Sequence, residues 1–399
     1  MLKVRTYAPL QSYIWLIIPI LLLASMAGTI FKNNGLQNLH TYQAEAFLRG
    51  KFNIDGDVNK LPGETVRQGG NIYIPFPPLP AILLTPFVAL FGSANIKISL
   101  ITAVIGCSSC YVLYKILRRL ELEHNSILWM IAAFALGTAY WQTLRSSMWV
   151  WMFAQIIGVF FILLSINEVF GKGRGIWIGL FLGSAFLSRQ LSIYTGIFLI
   201  AVLWETQTSR KRMLNISGFL GSFGICILIY LVVNYLRLGS IDSGYAGINA
   251  AGFGKERIEH YGLFNTAYFV FNSIYMFLQG FHLETIGADK LQISALDPFG
   301  TSLLSASPFV IAAFFAKWNR TISWAAWLAI GLSLIHMLFY HNNGFIQYNA
   351  QRFTLDFMPV LILLVALGFK NSSNDLLVVL KVMIVYAIFL NLIVLFLVG

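Results

Sequence analysis

The sequence predicts an all-α, polytopic transmembrane helix bundle, and three observations predict it. The 399-residue chain is 58% hydrophobic and only 11% charged, against roughly a quarter charged in a soluble domain, so water could not be its only solvent. Apolar stretches at 12–31, 96–117, 149–166, 218–236 and 376–398 are close to the ~20 residues needed to cross a hydrocarbon core. Basic residues recur in short clusters between such stretches: Lys3 and Arg5; Lys115, Arg118 and Arg119; Lys172 and Arg174; Arg210, Lys211 and Arg212; Lys317 and Arg320; Lys370 and Lys381. Placing all of them in the cytoplasm gives one self-consistent threading of about eleven spans, with the N-terminus cytoplasmic and the C-terminus outside.

Taken in order, the first apolar run is too long, and too poor in a small-residue cleavage site, for a signal peptide, and reads as a retained span. A long first outer loop, 32–78, follows and leads into Pro75, Pro77, Pro78 and Pro80. The apolar run 79–91 is short for a span and opens in proline, so it reads as a juxtamembrane or re-entrant helix on the outer side. Two hairpins come next, 127–140 with 149–166 around Arg145, and 176–187 with 191–204 around Arg189. Each sets a lone arginine at the outer surface. Residues 239–302 form a second long outer segment and 340–357 a third, and residues 1–399 read as one integral membrane domain. No short-period repeat or low-complexity tract interrupts it.

The formal charge of +11 rests on 27 basic residues that form no continuous stripe with interleaved aromatics. Their pattern serves orientation and argues against a nucleic-acid partner. Cys107, Cys110 and Cys226 all lie in apolar stretches, and the one-turn spacing of the first two reads as small-residue helix packing. Six histidines without ligand spacing define no metal site, and there is no Gly-rich phosphate loop or nucleophile elbow. A divalent cation remains compatible with the composition.

Ionisable groups at membrane depth are costly and mark candidate sites. In the stretch 38–50, Leu39, Ala46, Phe47 and Gly50 suggest a short interfacial helix with Asn38, Tyr42 and Glu45 about one turn apart on a shared face. Glu45 or His40 could serve there as general base; the alternative is a plain amphipathic loop helix. The stretch 69–80, with Tyr73 and its prolines, reads as a stiff extended approach to the next helix. Arg145, Arg189 and Arg352 form the third set, with Asp356 one turn after Arg352. Arginine forks suit a phosphate or pyrophosphate. The alternative is snorkelling to lipid headgroups or pairing with Asp356.

The short helix in the first outer loop, the Gly70, Tyr73, Pro77, Pro78 approach and the outer-face arginines joining paired helices resemble the GT-C class of membrane glycosyltransferases. Within it they resemble the bacterial protein O-mannosyltransferase and aminoarabinose transferase families. Later segments around Gly244 and Tyr245, 261–264, 300–303, Ser307 and Pro308, and 347–356 extend the resemblance across nearly the whole chain. The resemblance implies a GT-C-like fold in the cytoplasmic membrane. It implies transfer of a sugar from a polyprenyl-phosphate donor to a glycan, lipid or protein acceptor at the non-cytoplasmic face, amid membrane lipid. A carboxylate of the first outer loop would act as base while cationic residues hold the leaving phosphate.

Where the family carries an aspartate four residues before the loop tyrosine, this chain has Asn38, and an amide cannot take a proton. The candidate bases are therefore Glu45, Asp57 and Glu64, with Asp55 and His40 beside them. Asn38, Tyr42, Tyr73, Arg145, Arg189, Gln190, Gln347, Tyr348, Arg352 and Asp356 are the candidate substrate-binding residues. A transporter or flippase would instead favour charged or broken helices at the midplane and inverted repeats. A non-catalytic assembly protein is the third reading. The discriminating geometry is a loop carboxylate facing the arginines across one cavity.

Overall fold

The computed structural model of the chain describes residues 16–55, 61, 64–248, 252–289 and 291–398. Lys3, Arg5 and the candidate base Asp57 lie outside the described residues. The chain runs through α1 (Ile17–Ser25), α2 (Leu39–Leu48), α3 (Leu79–Phe91), α4 (Ile98–Arg119), α5 (His124–Gly137), α6 (Tyr140–Arg145), α7 (Val150–Val169) and α8 (Gly175–Phe186). It continues through α9 (Thr195–Thr206), α10 (Ser209–Leu238), α11 (Phe253–Tyr261), α12 (Phe269–Ser273), α13 (Leu303–Ala306), α14 (Arg320–Phe339), α15 (Met358–Asn371) and α16 (Asn374–Val398). Among the described residues, five helices are long and apolar enough to cross a membrane, namely α4, α7, α10, α14 and α16. The other apolar helices, α3, α5, α8 and α15 among them, are shorter.

The all-α expectation needs one correction, because the long polar segments contain strands. Strands β1 (Asn53–Ile54), β2 (Val66–Gln68) and β3 (Asn71–Tyr73) form an antiparallel sheet in the order β1-β3-β2. Gln68 faces Asn71 across a two-residue turn whose Gly69 and Gly70 both have positive φ, +57° and +79°. Glycine is suited to such a turn because a Cβ would be strained at both positions. A second hairpin pairs β4 (Leu283–Ile286) with β5 (Gln292–Leu296).

The long polar segments gather at one end of the bundle. At the other end the turns are short and knit together: Arg119 donates to the Asn167 carbonyl, Gln207 to Gly173 and Lys370 to Leu120. Helix α3 stays at the loop-bearing end. Its Leu79 N–H donates to the Leu187 carbonyl, and beyond it the Ile96 carbonyl accepts from Asn34. In between it packs on α2 and the start of α7 through Ala44, Ala81, Leu84, Val88 and Phe153.

Close helix contact is set by glycines at four-residue spacing. A Cβ on Gly175, Gly179 or Gly183 of α8 would run into the Asn215 carbonyl, into Ser222 Oγ and the Phe219 carbonyl, and into Cys226 Sγ of α10. One bare strip thus lets two backbones approach as they do in membrane helix pairs. It also gives Cys226 a packing role. Gly179→Leu should cost roughly 1–3 kcal/mol through overpacking, read as a lowered unfolding temperature of the detergent-solubilised protein. Gly221→Leu is the control, because a Cβ there meets nothing within 4 Å. Equal stability of the two variants would contradict this packing.

Candidate active site

A cavity of about 340 Å³ opens at the loop-bearing end. Its walls come from distant parts of the sequence: Glu64 and Phe76 of the first loop, Trp151 of α7, Arg189 after α8, Tyr230 of α10, Tyr245, and the Tyr340 to Phe353 segment.

One wall is built on an ion pair. Arg189 meets Asp356 in a two-pronged contact, Nη2 to Oδ2 at 2.8 Å and Nε to Oδ1 at 3.2 Å. Gln155 Nε2 of α7 donates to the same Oδ1 at 2.7 Å. Asp356 is buried, at 2% exposure, so its oxygens need these donors in place of water. It closes a single 3-10 turn, Arg352–Asp356, just before α15, whose first turn contains Pro359.

At the start of that turn stands Arg352, 5% exposed. Its backbone N–H donates to Gln347 Oε1 at 2.7 Å, but side-chain Nε and Nη1 have no hydrogen-bond partner among the described residues. Burial, and then the charge of Arg189, push its pKa down to about 9, which leaves it charged at neutral pH. Both guanidiniums lie against one ring: each central carbon is 5.0 Å from the Phe353 centroid. Buried guanidinium donors beside a cavity favour an anion.

Glu64 brings a carboxylate to the same cavity. Its carboxylate accepts from Trp151 Nε1 at 2.9 Å. Burial raises its pKa, although the Trp151 hydrogen bond and the Arg352 charge pull the other way. A carboxylate raised in this way is suited to general-base work near neutral pH. Burial also raises the phenols of Tyr245 and Tyr340, which therefore stay protonated as donors. Gln190 lines the cavity and donates to Tyr230 Oη at 2.9 Å.

The other candidates stand elsewhere. Asn38 does not share a face with Tyr42 and Glu45: fully buried, it caps α2, accepting from the His40 N–H at 3.0 Å and donating to the Met148 carbonyl at 3.2 Å. An aspartate could not make the second bond, which explains the amide. Tyr42 donates to the Leu36 carbonyl. Glu45 and Asp55 both pair with Arg49 at the surface, so Glu45 does not face the arginines. His40 is buried between Phe76 and Phe153, outside the cavity lining, and burial pushes its pKa down to about 4.

Tyr73 lies in β3, opposite Asn53 and Val66. Arg145 does not converge with the other two arginines. The residues around it form α6, and its Nη1 lies 3.4 Å from the Leu395 carbonyl. Gln347 is a loop hub, donating to Phe299, Asn343 and Gln351, and Tyr348 beside it has φ +56°. Neither lines the main cavity. Among the described residues, no group of three His, Cys, Asp or Glu side chains could hold a metal ion.

Several residues here escaped the sequence reading. Trp151 and Gln155 are one helical turn apart on α7, so a single face reaches both Glu64 and Asp356. Gln155, a lone amide inside an apolar span, was a legible signal. Arg237, 3% exposed at the end of α10, donates to the Ile74 and Phe76 carbonyls, each at 2.8 Å, and pins the loop wall.

Removing one partner of the buried pair should leave Arg189 uncompensated. Asp356→Asn is expected to cost on the order of 3 kcal/mol in denaturant unfolding of the solubilised protein. A cost under about 0.5 kcal/mol would rank the pair with exposed ion pairs.

No family model matches the chain, and no curated protein matches it in sequence. Among solved structures, it is similar to the crystal structure of ArnT from Cupriavidus metallidurans bound to undecaprenyl phosphate, at 14% identity and a TM-score of 0.49. That match covers 91% of this chain and 61% of the ArnT chain, so the chain spans less than two thirds of that protein.

Proposed function

We propose that the chain is a membrane glycosyltransferase that moves a sugar from a polyprenyl-phosphate donor to a nucleophile on a glycan, lipid or protein. One observation carries this reading: Arg352, a buried cation with unpartnered donors, and Glu64, a proton-seeking carboxylate, line the same cavity. It is the geometry expected of an enzyme in this class, with a different loop carboxylate in place of the one the family pattern would supply at Asn38. A base and an anion-holding cation lining one cavity suit group transfer between an acidic leaving group and a protonated acceptor.

In this mechanism the acceptor hydroxyl gives its proton to Glu64 as its oxygen bonds to the anomeric carbon. The bond from that carbon to the phosphate oxygen breaks, and the electron pair leaves on polyprenyl phosphate. The charge gained by the phosphate develops against Arg352, with Arg189 beside it. Tyr245 and Tyr340 supply neutral donors to the sugar. The basic clusters at the opposite end of the bundle favour a cytoplasmic location for that end, and this supports a cavity at the outer face of the cytoplasmic membrane. All of the chain, 1–399, takes part as one membrane domain of about eleven spans.

Transfer from radiolabelled polyprenyl-phosphate sugars, measured with the chain in lipid nanodiscs, tests this. Glu64→Gln should lower the rate by roughly a hundredfold or more, Arg352→Ala should also lower it, and Glu45→Gln should leave it near wild type. Full activity in both of the first two variants would sink the assignment. The base must be deprotonated to act, so activity should fall as pH drops through a Glu64 pKa that lies above the usual carboxylate range. Trp151→Phe removes a hydrogen bond that favours the carboxylate, so it should move this acid limb to higher pH. An unmoved limb would take the base role away from Glu64.

A further inference from the structure

Phe353 has a place in the cavity that its neighbours do not explain. It is 7% exposed, lines the cavity, and carries Arg189 and Arg352 at equal distances of 5.0 Å from its centroid. The two cations are not equally secured. Arg189 is locked by Asp356, whereas Arg352 Nε and Nη1 have no hydrogen-bond partner among the described residues. The charge of Arg189 acts against that of Arg352, and the negative face of an aromatic ring offsets such repulsion. The ring itself is braced, with Tyr340 at 6.5 Å between centroids.

We propose that Phe353 is a positioning residue whose π-face holds the Arg352 guanidinium at a fixed place beside Arg189, so that its free donors meet the donor phosphate. This rests on the reading that the cavity takes a phosphate. The bland account is apolar packing, which any hydrophobic side chain of similar volume would satisfy. The two differ in electronics, because ring fluorination drains the π-face while changing the volume little.

The test uses the full chain in nanodiscs, with mono-, di- and trifluorophenylalanine at position 353 and equilibrium binding of a polyprenyl monophosphate. Affinity should fall stepwise with each fluorine, reaching roughly a threefold to thirtyfold loss, while the unfolding temperature stays constant. Phe353→Leu should lose at least as much affinity. Flat affinity across the fluorinated series, with Arg352→Met still weakening binding, would overturn the role of Phe353 alone. If Arg352→Met also binds at wild-type strength, the phosphate reading beneath it fails as well.

Discussion

The contact between Arg189 and Asp356 organises the functional end of the molecule. It joins the turn after α8 to the turn before α15, and Gln155 ties the same carboxylate to α7. A buried pair of this kind adds little net stability because desolvation offsets most of the Coulomb gain. What it settles is geometry and charge. Asp356 fixes the single turn that carries Arg352 and Phe353, and Arg189 occupies the carboxylate that Arg352 would otherwise find one turn away. Arg352 is left buried, charged and, among the described residues, without a hydrogen-bond partner for two of its nitrogens. The proposal that the cavity takes an anion rests on that imbalance.

The place of Glu64 depends on the same helix. The α7 face that holds Asp356 through Gln155 holds Glu64 through Trp151 one turn earlier. Glu64 and the Arg189–Asp356 pair are therefore referenced to one rigid element, as a site needs when its groups come from loops. The first loop is held from below as well. Arg237 clamps the Ile74 and Phe76 carbonyls, and Leu79 is bonded to Leu187, next to Ser188 and Arg189. These ties explain how a loop with only two- and three-residue strands can present Glu64 at a defined height.

Much of this was legible in the residues. Apolar lengths and basic clusters announced the helical bundle, and Arg189 and Arg352 stood out as charges at the ends of apolar stretches. The short α3 could be set at the loop-bearing end because thirteen residues opening in proline make a poor span. The choice among loop carboxylates was not legible. Glu45 has helical spacing toward a presumed site, but the same spacing brings it to Arg49 at i+4, and a surface pair results. Glu64 has no local pattern at all, and its contact with Trp151 of α7 at the cavity is made only in the fold. Arg145 was misleading because an arginine between two apolar runs looks the same whether it faces a cavity or, as here, the carbonyl of Leu395. Strands of two or three residues carry too few alternations to register in the sequence.

The central claim is that the free nitrogens of Arg352 are the phosphate site. A cryo-electron microscopy map of the chain in nanodiscs with a bound polyprenyl monophosphate tests it most directly. Phosphate density is expected within hydrogen-bond reach, ~3 Å, of Arg352 Nε and Nη1, with the Arg189 to Asp356 contact intact. Phosphate density at Arg145 or among the basic turns of the opposite end, with none at Arg352, would contradict it.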